Sequence, residues 1–137
     1  EKSTYVIGNA GYVGSVLVPV LRHSGMTVFG YDTMWFASSV VPDTPSQLDV
    51  GIQVKADIRR PIEIESFGEC DSVIYLAAIS NDPMGRRFEA ITDDINAQAC
   101  IETAEMAKAK GVRRFIFASS CSMYGNASGK PKREEDE

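Results

Sequence analysis

Short runs of apolar, β-prone residues recur along the chain at positions 4–7, 27–31, 72–76 and 114–118, with a weaker fifth at 53–56. Each run is almost continuously apolar, so each is expected to be a strand buried on both faces. That is the pattern of a parallel sheet sandwiched between helices, not of a hairpin sheet with one wet face. Between the first two runs, Val13, Val16, Leu17, Val20 and Leu21 recur at helical spacing, which predicts a helix over 12–24 stopped by Gly25. Pro19 lies inside it and is expected to bend it or weaken one hydrogen bond. Ile95, Ala99, Ile101, Ala104, Met106 and Ala107 give a second apolar face, predicting a longer helix over 91–110 that Gly111 ends. Strands alternating with helices imply a doubly wound α/β fold of the Rossmann type, with right-handed crossovers and strand order 3-2-1-4-5. The stretch 34–52, with Pro42 and Pro45 and no clear period, reads as a surface loop, and 130–137 as a charged tail.

The first strand runs directly into Gly8-Asn9-Ala10-Gly11-Tyr12-Val13-Gly14, which opens the first helix. A glycine triplet between a strand and a helix is the context of a dinucleotide-binding turn. Gly8 permits the tight turn, Gly11 lets the backbone approach a pyrophosphate, and Gly14 lets the helix press on the strand. With Ala10, Tyr12 and Val13 they form the expected cofactor turn, the phosphates lying on the positive end of the helix. Asp32 ends the second strand about twenty residues beyond Gly11, where a carboxylate accepts from the adenosine ribose hydroxyls. It would repel a 2′-phosphate, and no Arg or Lys follows it, so NAD is expected in preference to NADP.

Charge narrows the partners. Nineteen acidic residues against fourteen Lys and Arg give a net charge of −5, which argues against a nucleic-acid surface and for a small ligand. No apolar run approaches the roughly 20 residues that span a bilayer, and the N-terminus lacks a signal-peptide layout, so a cytoplasmic protein without membrane contact is expected. At 137 residues the chain is one domain, short for a complete two-substrate enzyme. Cys70, Cys100 and Cys121 are scattered without a C-x-x-C pair and read as reduced thiols, the first two packing as small apolar residues. His23, the only histidine, suits the end of the first helix and has no partners for a metal site.

The glycine spacing is G-x-x-G-x-x-G, and further segments follow in order: Asp57-Ile58 after the third run, Leu76-Ala77-Ala78 after the fourth, Asn96 in the long helix, and Phe117-Ala118-Ser119-Ser120-Cys121-Ser122-Met123-Tyr124-Gly125 after the fifth. Together they resemble the extended short-chain dehydrogenase/reductase family, which contains NAD-dependent nucleotide-sugar epimerases and dehydratases. The resemblance implies that Asp57 and Ile58 contact the adenine ring and that Leu76, Ala77 and Ala78 lie against the cofactor. It implies also that Asn96 supports the active site, that Ser119 faces the cofactor, and that Ser120 takes the place of the catalytic Ser or Thr. The implied chemistry is hydride transfer at a carbon of a nucleotide sugar, with Ser120 bonding the reacting oxygen and a Tyr of lowered pKa moving the proton.

That Tyr belongs to a Tyr-x-x-x-Lys motif, and none of the five tyrosines here has Lys four positions on. The chain also begins at Glu1 and stops in a charged tail, so it is expected to be the NAD-binding part of a longer enzyme, lacking the substrate domain and inactive alone. Cys121 and Ser122 stand where 4,6-dehydratases of this family carry an acidic pair, which disfavours that reaction and favours an epimerase or reductase. Two other readings stay open: a non-catalytic NAD-binding or redox-sensing module, and a keto-reductase on a steroid- or flavonoid-like substrate, against which Asp32 weighs. Trp35 and Phe36 flank the adenine, form a partner surface, or pack on their own loop. Residues 81–84 either line the cleft or form a turn, and Arg86 with Arg87 either meets a substrate phosphate or is a solvated pair. A homodimer is plausible if the helix over 91–110 has an apolar outward face.

Overall fold

The computed structural model describes residues 2–36, 50–60, 70–80, 82–120, 124–125, 129 and 131–135. Five strands, β1 (Ser3–Ile7), β2 (Thr27–Asp32), β3 (Ile52–Lys55), β4 (Ser72–Tyr75) and β5 (Arg114–Phe117), form one sheet of order β3-β2-β1-β4-β5. Every pairing is parallel, as the order 3-2-1-4-5 requires, and the fold class is the doubly wound α/β sheet expected. Most of the loop expected over 34–52, together with Asn81, Cys121, Ser122 and part of the charged tail, lies outside the described residues.

Two apolar layers hold the sheet. On one face Val6, Val28 and Ile74 pack under Val18 of helix α1 (Tyr12–His23), with Leu17 and Leu21 beside them. On the other face Tyr5, Ile7, Tyr31, Val73 and Tyr75 pack against Ala99 and Ala107 of helix α4 (Ala99–Ala109), and Cys70 joins this layer as a buried packing residue. The expectation of strands buried on both faces holds for β1 and β4 but not for β3 and β5, where Ile52 is 49% and Ile116 48% exposed. These are the outer strands, and a central strand gains its second cover from neighbours that an edge strand lacks.

Helix α1 runs through Pro19, and Gly25 and Gly111 end their helices with φ of +83° and +84°, the left-handed conformation that favours glycine. The long helix departs from expectation. It begins earlier, as α3 (Glu89–Asp93), passes through a π-helical segment (Asp94–Gln98), and only then continues as α4. The cause is tertiary: the Tyr75 hydroxyl donates to the Ile95 carbonyl (2.7 Å), and the Asn96 side chain leaves the helix to bond Ile79. A further short helix, α2 (Asp82–Arg87), occupies the stretch read as cleft or turn, with Pro83 in its first turn, where a missing N–H costs nothing.

Candidate functional site

The glycine turn is fixed by its contacts. The Gly8 N–H donates to the Tyr31 carbonyl (2.8 Å), extending the β1–β2 ladder, and the Gly11 N–H returns to the Gly8 carbonyl (3.1 Å). Gly8 has φ of +87°, and a Cβ on it would lie 2.8 Å from the Ala77 nitrogen, so the turn rests directly on the segment after β4. A Cβ on Gly14 would lie 2.3 Å from the Gly8 carbonyl oxygen, which is the close helix-to-strand approach that only glycine allows.

Helix α1 starts with no side-chain cap and no acidic residue in its first turn. Its first internal bond runs from the Ser15 N–H to the Gly11 carbonyl (2.9 Å), which leaves the N–H groups of Tyr12, Val13 and Gly14 without intrahelical acceptors at the positive end of the helix. Tyr12 and Val13 turn their side chains to solvent, at 92% and 57% exposure, while Ala10 is buried. This end suits an anion. Asp32 stands beside it with both oxygens oriented: one accepts from the Ala10 N–H (3.1 Å) and the other from the Met34 N–H (2.7 Å). Each oxygen keeps capacity for a further donor, so an uncapped helix end and a half-buried carboxylate together fit a ribose-linked diphosphate.

Beyond the carboxyl ends of β4 and β5 lies a cleft of about 700 Å³. Leu76, Ala77 and Ala78 form one side of it and Ser119 and Ser120, both exposed, another; Asn96 and Arg86 complete the wall. Ligands of open α/β sheets bind at this end of the strands. Asn96 shapes the cleft through the backbone: its Oδ1 accepts from the Ile79 N–H (2.9 Å) and its Nδ2 donates to the Ile79 carbonyl (3.0 Å).

Asp57 is engaged by a neighbour. The Arg59 side chain donates to both of its carboxylate oxygens (3.0 and 3.2 Å from Nε, 2.5 Å from Nη2), and this hydrogen bonding holds the Asp57 carboxyl below the usual range. Ile58 is buried at 7% exposure within the core layer under α4. Trp35 and Phe36 are exposed at 73% and 69%, close after Asp32, and Arg87 stands over the Phe88 ring. His23 is drawn onto its own helix, its Nδ1 lying 2.7 Å from the Pro19 carbonyl. Among the described residues no group of His, Cys, Asp or Glu could hold a metal ion, and no helix is long and apolar enough to cross a membrane.

Four residues of this neighbourhood were not singled out from the sequence. Asn9 and Gln53 pair through their side-chain amides, Tyr75 anchors the π-helical segment, and Lys55 is the register partner of Asp32 on β3. Gly30, in mid-strand, was the available signal for the first two, because an isolated glycine in a strand marks a close approach.

The model of the NAD dependent epimerase/dehydratase family matches residues 4–137. The chain is 26% identical to UDP-glucose 4-epimerase 4 of Oryza sativa subsp. japonica, over 98% of this chain and 39% of that protein. It is 26% identical to the UDP-glucose 4-epimerase of Lacticaseibacillus casei, over 96% and 39% respectively. Among solved structures, UDP-glucose-4-epimerase from Stenotrophomonas maltophila, with bound NAD and formylated UDP-arabinopyranose, superposes with a TM-score of 0.82 at 25% identity, over 99% of this chain and 42% of that one. The chain therefore spans about two fifths of the length of these relatives. The family model covers nearly the whole chain, the strand order is that of the superposed epimerase fold, and the chain belongs to the NAD dependent epimerase/dehydratase family.

Proposed function

We propose that residues 1–137 are the NAD-binding domain, incomplete at its C-terminal end, of a longer nucleotide-sugar epimerase or reductase that transfers hydride at a sugar carbon. The observation that carries this reading is the uncapped start of α1 beside the oriented carboxylate of Asp32, on a glycine turn that rests against Ala77, which lines the same cleft as Ser120. NAD, when bound, supplies the acceptor and donor of the hydride. The N–H groups of Tyr12, Val13 and Gly14 hold its diphosphate, and Asp32 accepts from the ribose hydroxyls and excludes a 2′-phosphate. Leu76, Ala77 and Ala78 present backbone and small side chains to it, Ser119 faces it from the segment just beyond β5, and the Asp57–Ile58 backbone borders the adenine.

Ser120 hydrogen-bonds the reacting oxygen of the sugar and orients the hydroxyl whose proton is moved. The proton is taken by a base outside these 137 residues, since no Tyr-x-x-x-Lys lies within them. Nucleotide-sugar substrates are supported by the relatives, which are UDP-glucose 4-epimerases by name. A cytoplasmic location and a homodimer belong to the same reading; exposed Ile91 and Ile101 on the long helix support the second.

Ser120→Ala in the parent protein tests the reaction. UDP-glucose is expected to be converted to its 4-epimer, with kcat lowered about 100-fold or more in the variant and NAD affinity unchanged. Conversion that ignores the substitution would remove Ser120 from the chemistry, and failure to convert any UDP-sugar would remove the epimerase reading.

A further inference from the structure

Gly30 lies buried in the middle of β2, where a side chain would normally add packing. A Cβ there would lie 2.5 Å from Gln53 Oε1 and 2.6 Å from Asn9 Nδ2. The space that glycine leaves is filled by a reciprocal pair of amides. Asn9 Nδ2 donates to Gln53 Oε1 (2.8 Å), and Gln53 Nε2 donates to Asn9 Oδ1 (3.2 Å) and to the Val54 carbonyl (3.2 Å). The bond crosses 44 positions of sequence and passes over β2 to join the glycine turn to β3.

Asn9 is fully buried, at 0% exposure, so its side chain faces the sheet and not a ligand. Its backbone does the opposite work: a Cβ on Gly14 would lie 2.6 Å from the Asn9 carbonyl oxygen, so the start of α1 is seated on the Asn9 peptide. One residue thus fastens to β3 by its side chain and supports α1 by its backbone.

We infer that Gln53 is a positioning residue for the diphosphate-binding turn, acting through Asn9, and that Gly30 is glycine to leave room for their amide pair. The pair fixes the turn across β2, so that the N–H groups of Tyr12, Val13 and Gly14 present one geometry. A buried amide that loses its partner must reorient or stay unsatisfied, and the turn it belongs to moves with it. The inference rests on the proposed NAD site for its ligand measurement alone.

Gln53→Met, close in shape and without polar atoms, tests it with two measurements on the whole chain. Amide hydrogen exchange at Ala10, Gly11 and Ser15, each of which donates a hydrogen bond within the turn, is expected to quicken about tenfold, while that of Thr103 in α4 stays unchanged, which a general loss of stability would not produce. NAD⁺ affinity is expected to fall about tenfold and that of adenosine, which carries no phosphate, to stay the same. Should the single variant unfold, Asn9→Ala/Gln53→Met leaves no orphaned amide and carries the same expectations. Unchanged exchange at the turn, exchange raised equally in α4, or equal weakening of NAD⁺ and adenosine would overturn the inference. A wild-type chain that binds no NAD⁺, with turn exchange still raised in the variant, would overturn the cofactor reading and leave the positioning role standing.

Discussion

Asn96 grips the backbone of Ile79 at both ends, its Oδ1 on the N–H (2.9 Å) and its Nδ2 on the carbonyl (3.0 Å). A side-chain amide here does what a neighbouring strand would do: it satisfies one residue of a segment that has left the sheet after β4. Asn96→Ala removes both bonds and is expected to lower stability by about 1–3 kcal/mol. The Ile79 amide should exchange faster in the variant, and slow exchange there would mean that the segment is held by something else.

The geometry of Asn96 depends on Tyr75, whose hydroxyl holds the preceding Ile95 carbonyl at 2.7 Å. Tyr75 is 1% exposed, and burial, followed by the charges of Cys100 and Tyr31, pushes its phenol above the ordinary value near 10. Burial raises Tyr31 in the same direction. The folded chain therefore holds these protons more tightly than the unfolded one. The stability this contributes is complete below about pH 10 and is lost as pH rises through the folded value. Thermal unfolding followed from pH 8 to 12 should fall more steeply for wild type than for Tyr75→Phe, and parallel curves would contradict the assignment. At pH 7 the same substitution is expected to cost about 1 kcal/mol.

Gly14 and Gly25 offer a contrast in why a glycine is needed. At Gly14 a Cβ would meet the Gly8 carbonyl oxygen at 2.3 Å, whereas at Gly25 nothing lies within 4 Å and only the φ of +83° stands against it. Gly14→Ala forces backbone apart and is expected to cost about 3 kcal/mol or more; Gly25→Ala carries left-handed strain alone, about 1–2 kcal/mol. Urea unfolding of both variants measures the difference, and equal losses would mean that α1 can slide away from the turn.

Lys55 changes the cofactor argument made along the chain. No Lys or Arg lies in residues 33–54 directly after Asp32, yet Lys55 pairs with it in the β2–β3 register. Asp32→Ala should leave an exposed cation beside the proposed ribose site, so the preference for NAD⁺ over NADP⁺ is expected to shrink about tenfold, or about 1.4 kcal/mol. Adding Lys55→Ala should abolish the gain in NADP⁺ affinity. A gain that survives in the double variant would acquit Lys55.

Much of this was legible beforehand, and the limits have physical causes. Apolar runs separated by helical periods disclosed a parallel sheet and its order, because burial on two faces leaves a local imprint. The glycines and Asp32 were legible because a tight strand-to-helix turn restricts residue types position by position. The π-helical segment was not, since nothing in residues 94–98 demands it and Tyr75 imposes it from the sheet. The Asn9–Gln53 pair joins residues far apart in sequence, with only Gly30 as its trace. The exposure of Ile116 depends on what lies beside β5, which the strand's own residues do not encode.

Calorimetric titration of the chain with NAD⁺ and, separately, with NADP⁺, beside an Asp32→Ala variant, tests the dinucleotide site most directly. NAD⁺ is expected to bind in preference to NADP⁺ and to weaken when the Asp32 carboxylate is removed. Absence of binding by either nucleotide, or NAD⁺ affinity indifferent to Asp32→Ala, would contradict a cofactor site built on the glycine turn and Asp32.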